Sequence, residues 1–127
     1  MSICFFKSGV RSLSIESVQK ECCKHYQAIY APVEPTQLVT ISKGIYEGSA
    51  PVEGVRYPSP NHMSGWWLTT DEYDGNTSSL VTVHFEHIIE KRPELAIYMA
   101  LPFGYRFNLG GESEHVWFDQ AVADESI

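Results

Sequence analysis

An α+β fold, with a mostly antiparallel sheet, an N-terminal helix and two short helices packed on it, follows from three observations on this sequence. Short runs rich in β-branched and aromatic residues recur between turn signals from residue 38 onward. Helical spacing appears in one stretch before them and again near residue 84. Hydrophobic residues make up 43% and aromatics 13% of the 127 residues, enough for one domain core and too much for disorder.

Residues 14 to 30 carry Ile15, Val18, Cys22, Tyr26 and Ile29 at three- and four-residue steps, which predicts an amphipathic first helix. Ser14 suits its N-cap, Glu16 suits the positive end of its dipole, and Pro32 and Pro35 close the segment. Ahead of it, Ile3 to Phe6 fits either a short strand or an ordered arm. Leu38 to Ile41 is a β-branched strand, and Gly48-Ser-Ala-Pro51 turns the chain toward a second strand from Val52 to Tyr57. Pro58 and Pro60 end that strand, because each ring removes a ladder donor. Gly65 to Thr70 forms the aromatic strand, and Leu80 to Val83 the next.

From about His84 to Lys91 the pattern turns helical, with Phe85, Ile88 and Ile89 on one side. Pro93 can open a second short helix through Glu94 to Leu101, with Leu95, Tyr98 and Met99 inward, until Pro102 ends it. Phe103 to Phe107 alternates as a strand, Gly110-Gly111 turns, and Val116 to Phe118 is the last strand. The expected organisation is one domain over residues 1–119 and a frayed acidic tail over 120–127.

The formal charge is −7, and it is unevenly placed. Residues 1–70 carry six Lys or Arg against five Asp or Glu, whereas 71–127 carry three against eleven. Such a field repels nucleic-acid phosphate and anionic membrane, and it attracts basic proteins or cations. It also serves plain solubility. No apolar run approaches the roughly 20 residues that span a bilayer, so a soluble cytoplasmic protein is expected. Cys4, Cys22 and Cys23 are odd in number and lack metal-ligand spacing, which predicts reduced thiols.

The segment His62-Met-Ser-Gly-Trp-Trp-Leu-Thr-Thr-Asp-Glu-Tyr-Asp-Gly75 places two adjacent tryptophans just before a carboxylate cluster. On a strand Trp66 and Trp67 point to opposite faces, and Asp71, Glu72 and Asp74 occupy the turn beyond, eased by Gly75 and Asn76. An aromatic beside fixed negative charge suits a partner-binding surface, formed by Trp66, Trp67, Asp71, Glu72, Tyr73 and Asp74; a core strand ending in a solvated turn is the plainer alternative.

Catalytic signals are weak. His84 and His87, with Glu86 and Glu90 nearby, could share a helix face as bases or ligands, but they lack the His-Glu-x-x-His arrangement and equally suit solvated or capping roles. Asp71 to Gly75 fails as a calcium loop, because Tyr73 stands where an oxygen ligand belongs. Ser64 is outside any Gly-x-Ser-x-Gly elbow, and Gly104, Gly110 and Gly111 make no phosphate loop. No catalytic, cofactor or metal site is assigned.

Several ordered blocks resemble a known family: Ile41-Ser-Lys-Gly-Ile45, Pro51-Val52 with Arg56-Tyr57, Ser64-Gly-Trp66, Asp71-Glu72, Arg92-Pro-Glu-Leu95 and Leu101-Pro-Phe-Gly-Tyr-Arg-Phe107. Over about residues 38–107 the chain resembles the bacterial immunity proteins of the thirty-third family, once a domain of unknown function. It departs at Met63, where the family carries an aspartate. The resemblance implies a protein that binds and neutralises a cognate toxin or secreted effector, and the acidic charge predicts a basic surface on that partner. Two other readings remain: a small hydrolase or metal-dependent enzyme using His84, His87 and the nearby glutamates, and a small-ligand sensor with a pocket lined by Trp66, Trp67 and Tyr105.

Overall fold

The computed structural model describes residues 14–125; the strand or arm expected at Ile3 to Phe6, with Cys4, lies outside them. The described chain runs α1 (Ile15–His25), β1 (Leu38–Ile41), β2 (Val52–Arg56), β3 (Met63–Thr70), β4 (Val81–His84), α2 (Phe85–Lys91), α3 (Pro93–Ala96), β5 (Tyr105–Leu109), β6 (His115–Phe118) and α4 (Gln120–Ala123). The strands form one six-stranded sheet in the order β4-β1-β3-β2-β5-β6. Only the β1–β3 pair is parallel; the other neighbours are antiparallel, so the fold is the expected α+β class with a mixed sheet.

Helix α1 starts as expected, with the Ser14 hydroxyl accepting from the Ser17 amide at 3.1 Å. It stops five residues short of the expected end. Gln27 takes a positive φ of 58°, and the Gln27 and Ala28 amides donate back to the Lys24 and Cys23 carbonyls, which closes a Schellman cap. Ile29 therefore leaves the helical stripe and is 79% exposed, against the expectation that it faced the core. The second correction concerns Glu94 to Leu101. Only Pro93–Ala96 is α-helical; the Tyr98, Met99 and Leu101 amides then bond three residues back, giving tight turns instead of a continued helix. This segment is nonetheless buried throughout from Leu95 to Leu101 and forms the spine between α1 and the sheet.

The pairing registers define two faces. One carries Leu68, Gly54 and Phe107 side by side, flanked by Trp66, Ile41, Val52 and Leu109, and it packs on α1, α2 and the 95–101 spine as a single apolar core. Gly54 is there because the Phe107 ring lies across it: a Cβ on residue 54 would sit 2.4 Å from ring carbons. Two buried arginines tie loops to this core. Arg56 donates to the carbonyls of Ser64, Ala31 and Leu101 at 2.7–2.8 Å, and Arg92 donates to the Ile45 carbonyl at 2.6 Å and to the Glu94 carboxylate at 2.6 Å.

Beyond β6, where a frayed tail is expected, residues 120–123 form α4. The Asp119 carboxylate caps it by accepting from the Ala121 amide at 3.0 Å, and Val122 is buried. This short helix folds back against β2.

Candidate functional site

Strand β3 delivers the two tryptophans as its period of two requires. Trp66 turns into the core, where its indole N–H donates to the Met99 carbonyl at 2.8 Å and its ring lies 5.3 Å from that of Phe107. At 1% exposure it offers no surface to a partner, so its place in the expected contact set gives way to a packing role. Trp67 emerges on the opposite face, half-buried, with its ring edge-on to Tyr57 at 5.9 Å. Because the two indoles lie on opposite sides of the sheet, they cannot line one ligand pocket, which removes the pocket expected from Trp66, Trp67 and Tyr105.

The turn after β3 is held by Thr70, whose hydroxyl donates to the Lys43 carbonyl at 2.7 Å and accepts from the Glu72 amide at 3.2 Å. Its carboxylates diverge. Glu72 accepts from the Ser49 hydroxyl at 2.7 Å, and Asp74 accepts from the Asn76 amide at 2.9 Å within its own turn. Asp71 instead borders a cleft, and Tyr73 is half-buried. The acidic residues of the turn thus do not form one patch.

The sheet face that bears Trp67 extends well beyond this turn. Paired neighbours across it read Thr82, Thr40, Trp67, Val55, Arg106 and Trp117, one from each strand. The adjacent row reads Thr69, Glu53, Asn108 and His115. Arg106 sits centrally, donating to the Glu53 carboxylate at 2.5 Å and to that of Asp119 at 3.0 Å, with Trp117 against its guanidinium at 5.3 Å. Burial pulls the Arg106 pKa down, but its hydrogen bonds to Glu53 and Asp119 outweigh it and hold the group above its ordinary value. The same hydrogen bond from Arg106, aided by the Ala121 amide, holds Asp119 below the usual carboxylate range against its own desolvation. Burial, with Glu125 nearby, raises the Tyr57 phenol.

At the far end of this face from Tyr57 lies a cleft of about 430 Å³ between the ends of β2 and β3 and the β5–β6 hairpin, bordered by Glu53, Thr69, Asp71, Asn108, Glu112 and Ser113. Among the described residues its lining holds three carboxylates and no Lys or Arg. Glu53, Arg106, Glu112, Trp117 and Asp119 were not legible as site residues. Strand alternation put Arg106 and Trp117 on definite faces of their strands, but nothing local places them beside Trp67.

His84, Glu86 and His87 do come together, their ligand atoms within 4.8 Å of one another at the β4–α2 junction. All three are exposed, and they lie at the sheet edge remote from Trp117. They could offer two imidazoles and a carboxylate to a cation whose remaining positions are filled by water. Glu90, the other glutamate expected nearby, is not part of the group. Cys22 and Cys23 are free and buried.

No helix among the described residues is long and apolar enough to cross a membrane. The model of the Imm33-like domain matches residues 18–119, which extends past both ends of the resemblance at 38–107 to take in most of α1 and all of β6. No curated protein and no solved structure matches the chain.

Proposed function

Residues 18–119 make this chain a member of the Imm33-like domain family, a family of immunity proteins, and we propose from that membership that it binds one cognate bacterial toxin and holds it inactive without chemistry of its own. The family match is the single observation that carries this reading. The charge of −7 supports it, because an acidic domain meets a basic toxin surface with favourable long-range attraction and fast encounter. On this reading Trp67 and Tyr73 supply aromatic contact area, and Asp71, Glu72 and Asp74 pair with toxin Lys or Arg at the rim.

The test is protection and capture together. A sensitive bacterium expressing the toxin should survive when this chain is co-expressed, and the tagged chain should retain the toxin at low salt and release it at high salt. Changing Asp71, Glu72 and Asp74 to alanine should weaken low-salt affinity. Survival without any physical complex would sink the binding mechanism, and undiminished affinity in the triple variant would remove the turn from the contact.

The exposed group of His84, Glu86 and His87 gives a metal-dependent hydrolase a specific observation of its own. Elemental analysis of the purified chain and a His87→Ala variant separate the two readings: bound metal with loss of protection in the variant favours chemistry, and full protection by a metal-free chain favours occlusion.

A further inference from the structure

Building on the immunity reading, we propose that the sheet face opposite α1, α2 and the 95–101 spine is the toxin-docking surface, with the cleft at its end receiving an arginine or lysine side chain of the toxin. Three observations meet here. First, among the described residues this face carries no helical layer apart from α4, which begins beside Arg106 and contacts β2; Trp67 and Trp117 stay half-buried on it, with Tyr57 beside Trp67. Large, stiff aromatics of this kind, partly dry and partly accessible, are the side chains that dominate binding energy at interfaces.

Second, the charges on the face are sorted. Arg106 is engaged on two sides by Glu53 and Asp119, which meets its charge although its buried Nε–H has no partner among the described residues. Asp71 and Glu112, which both border the cleft, make no ion pair among the described residues. Two unpaired carboxylates on a concave surface with no cation in its lining complement the charge of a basic side chain. Third, Asn108, Thr69 and Ser113 border the same cleft and provide neutral acceptors for the remaining N–H groups of a guanidinium. The occupant is therefore a basic protein surface, and the aromatic row beside the cleft sets its orientation.

Two experiments separate the failure of this surface from the failure of the immunity reading. In the first, ¹⁵N-labelled full-length chain is titrated with a tetra-arginine peptide, with a tetra-glutamate peptide as control. The expected result is shifts of the Trp67 and Trp117 indole signals and of the amides at Asp71 and Glu112. These shifts should weaken about tenfold or more in apparent affinity in the D71N/E112Q variant, whose exposed side chains make no hydrogen bond or ion pair among the described residues. Shifts confined to α1 and α2, or none, overturn the proposal.

In the second, affinity for the toxin retained by the wild-type chain is compared among wild type, D71N/E112Q, W117A, and an α1 control E16Q/E21Q, both exposed and on the opposite side of the sheet. Losses in the first two variants with an unchanged control support the docking face; loss only in the control overturns it. If the arginine peptide occupies the cleft while no toxin is bound or neutralised by the wild-type chain, the immunity reading fails and the cation-accepting cleft stands.

Discussion

Asp119 divides its carboxylate between two tasks, one oxygen accepting from Arg106 Nη1 at 3.0 Å and the other from the Ala121 amide at 3.0 Å. A single side chain thus starts α4 and anchors it to the sheet. Any change that discharges Asp119 should therefore act on the last helix before the rest of the fold.

Acid supplies such a change. The Asp119 pKa is lowered in the folded chain by Arg106, so its contribution is complete above the ordinary carboxylate value and is lost as pH falls through the lower, folded one. Amide protection across Gln120–Ala123 should then begin to fall below about pH 4 and be lost as pH drops further, while β1–β3 stay protected. In Asp119→Asn the cap acceptor survives but the charge pair does not. Hydrogen exchange in α4 should be faster than wild type at neutral pH, the melting temperature should drop by a few degrees, and acid should change little further. An acid response equal to that of wild type would assign the effect to another group.

Arg56 should be the most costly charged side chain to remove. It is 5% exposed, has no carboxylate partner among the described residues, and satisfies three backbone carbonyls from three separate segments while stacking 4.9 Å from the Phe103 ring. Burial lowers its pKa to about 10, which still leaves it charged at neutral pH. Arg56→Ala orphans those carbonyls and should cost about 3–5 kcal/mol in urea unfolding. Arg56→Lys cannot reproduce the fork and should recover only part of that. A loss below about 1 kcal/mol would mean that water satisfies the carbonyls as well as the guanidinium does.

Gly54 and Phe107 should behave as one unit. A methyl group at residue 54 would lie 2.4 Å from the Phe107 ring in the sealed core, so Gly54→Ala should cost about 1–3 kcal/mol through overpacking. Adding Phe107→Leu frees that space. The double variant should be more stable than the sum of the single losses predicts; strict additivity would show that the ring moves aside without cost.

Alkaline stability should depend on Cys22. Burial, with Cys23 next, pushes its thiol up to about 12 from an ordinary value near 9. The folded pKa is the higher one, so the contribution is complete below pH 9 and is lost as pH rises toward 12. Taken alone, Cys22 makes the unfolding constant grow roughly tenfold per pH unit over that window, and above pH 10 the discharge of Arg56, whose folded pKa is the lower one, opposes it. Cys22→Ala should flatten this slope, leaving the parts due to Cys23 and to the Tyr30, Tyr46 and Tyr57 phenols, which burial also raises. Native Cys22 should also resist thiol reagents at pH 8. An unchanged slope in the variant would place the alkaline sensitivity elsewhere.

Much of the fold was legible because its signals are local. The β-branched run Leu38–Ile41 became β1 with those bounds, the remaining strands fell within two residues of their expected starts, and Ser14 capped α1. What escaped depends on conformations or contacts that residue type does not encode. Glutamine is no special friend of positive φ, so the early end of α1 at Gln27 left no mark in the sequence; Val122 looked like one apolar residue in an acidic tail until the sheet gave it something to pack on.

The site divides along the same line. Strand periodicity, a property of the backbone, determined that Trp66 and Trp67 face opposite ways, and composition determined where the negative charge lies along the chain. Which tryptophan is inside, which carboxylates share a cleft, and that Trp67, Arg106 and Trp117 share one face were decided only by strand order and register. Those depend on pairings between residues as far apart as Val52 and Leu109, chosen by the burial of the whole core and not by any stretch alone.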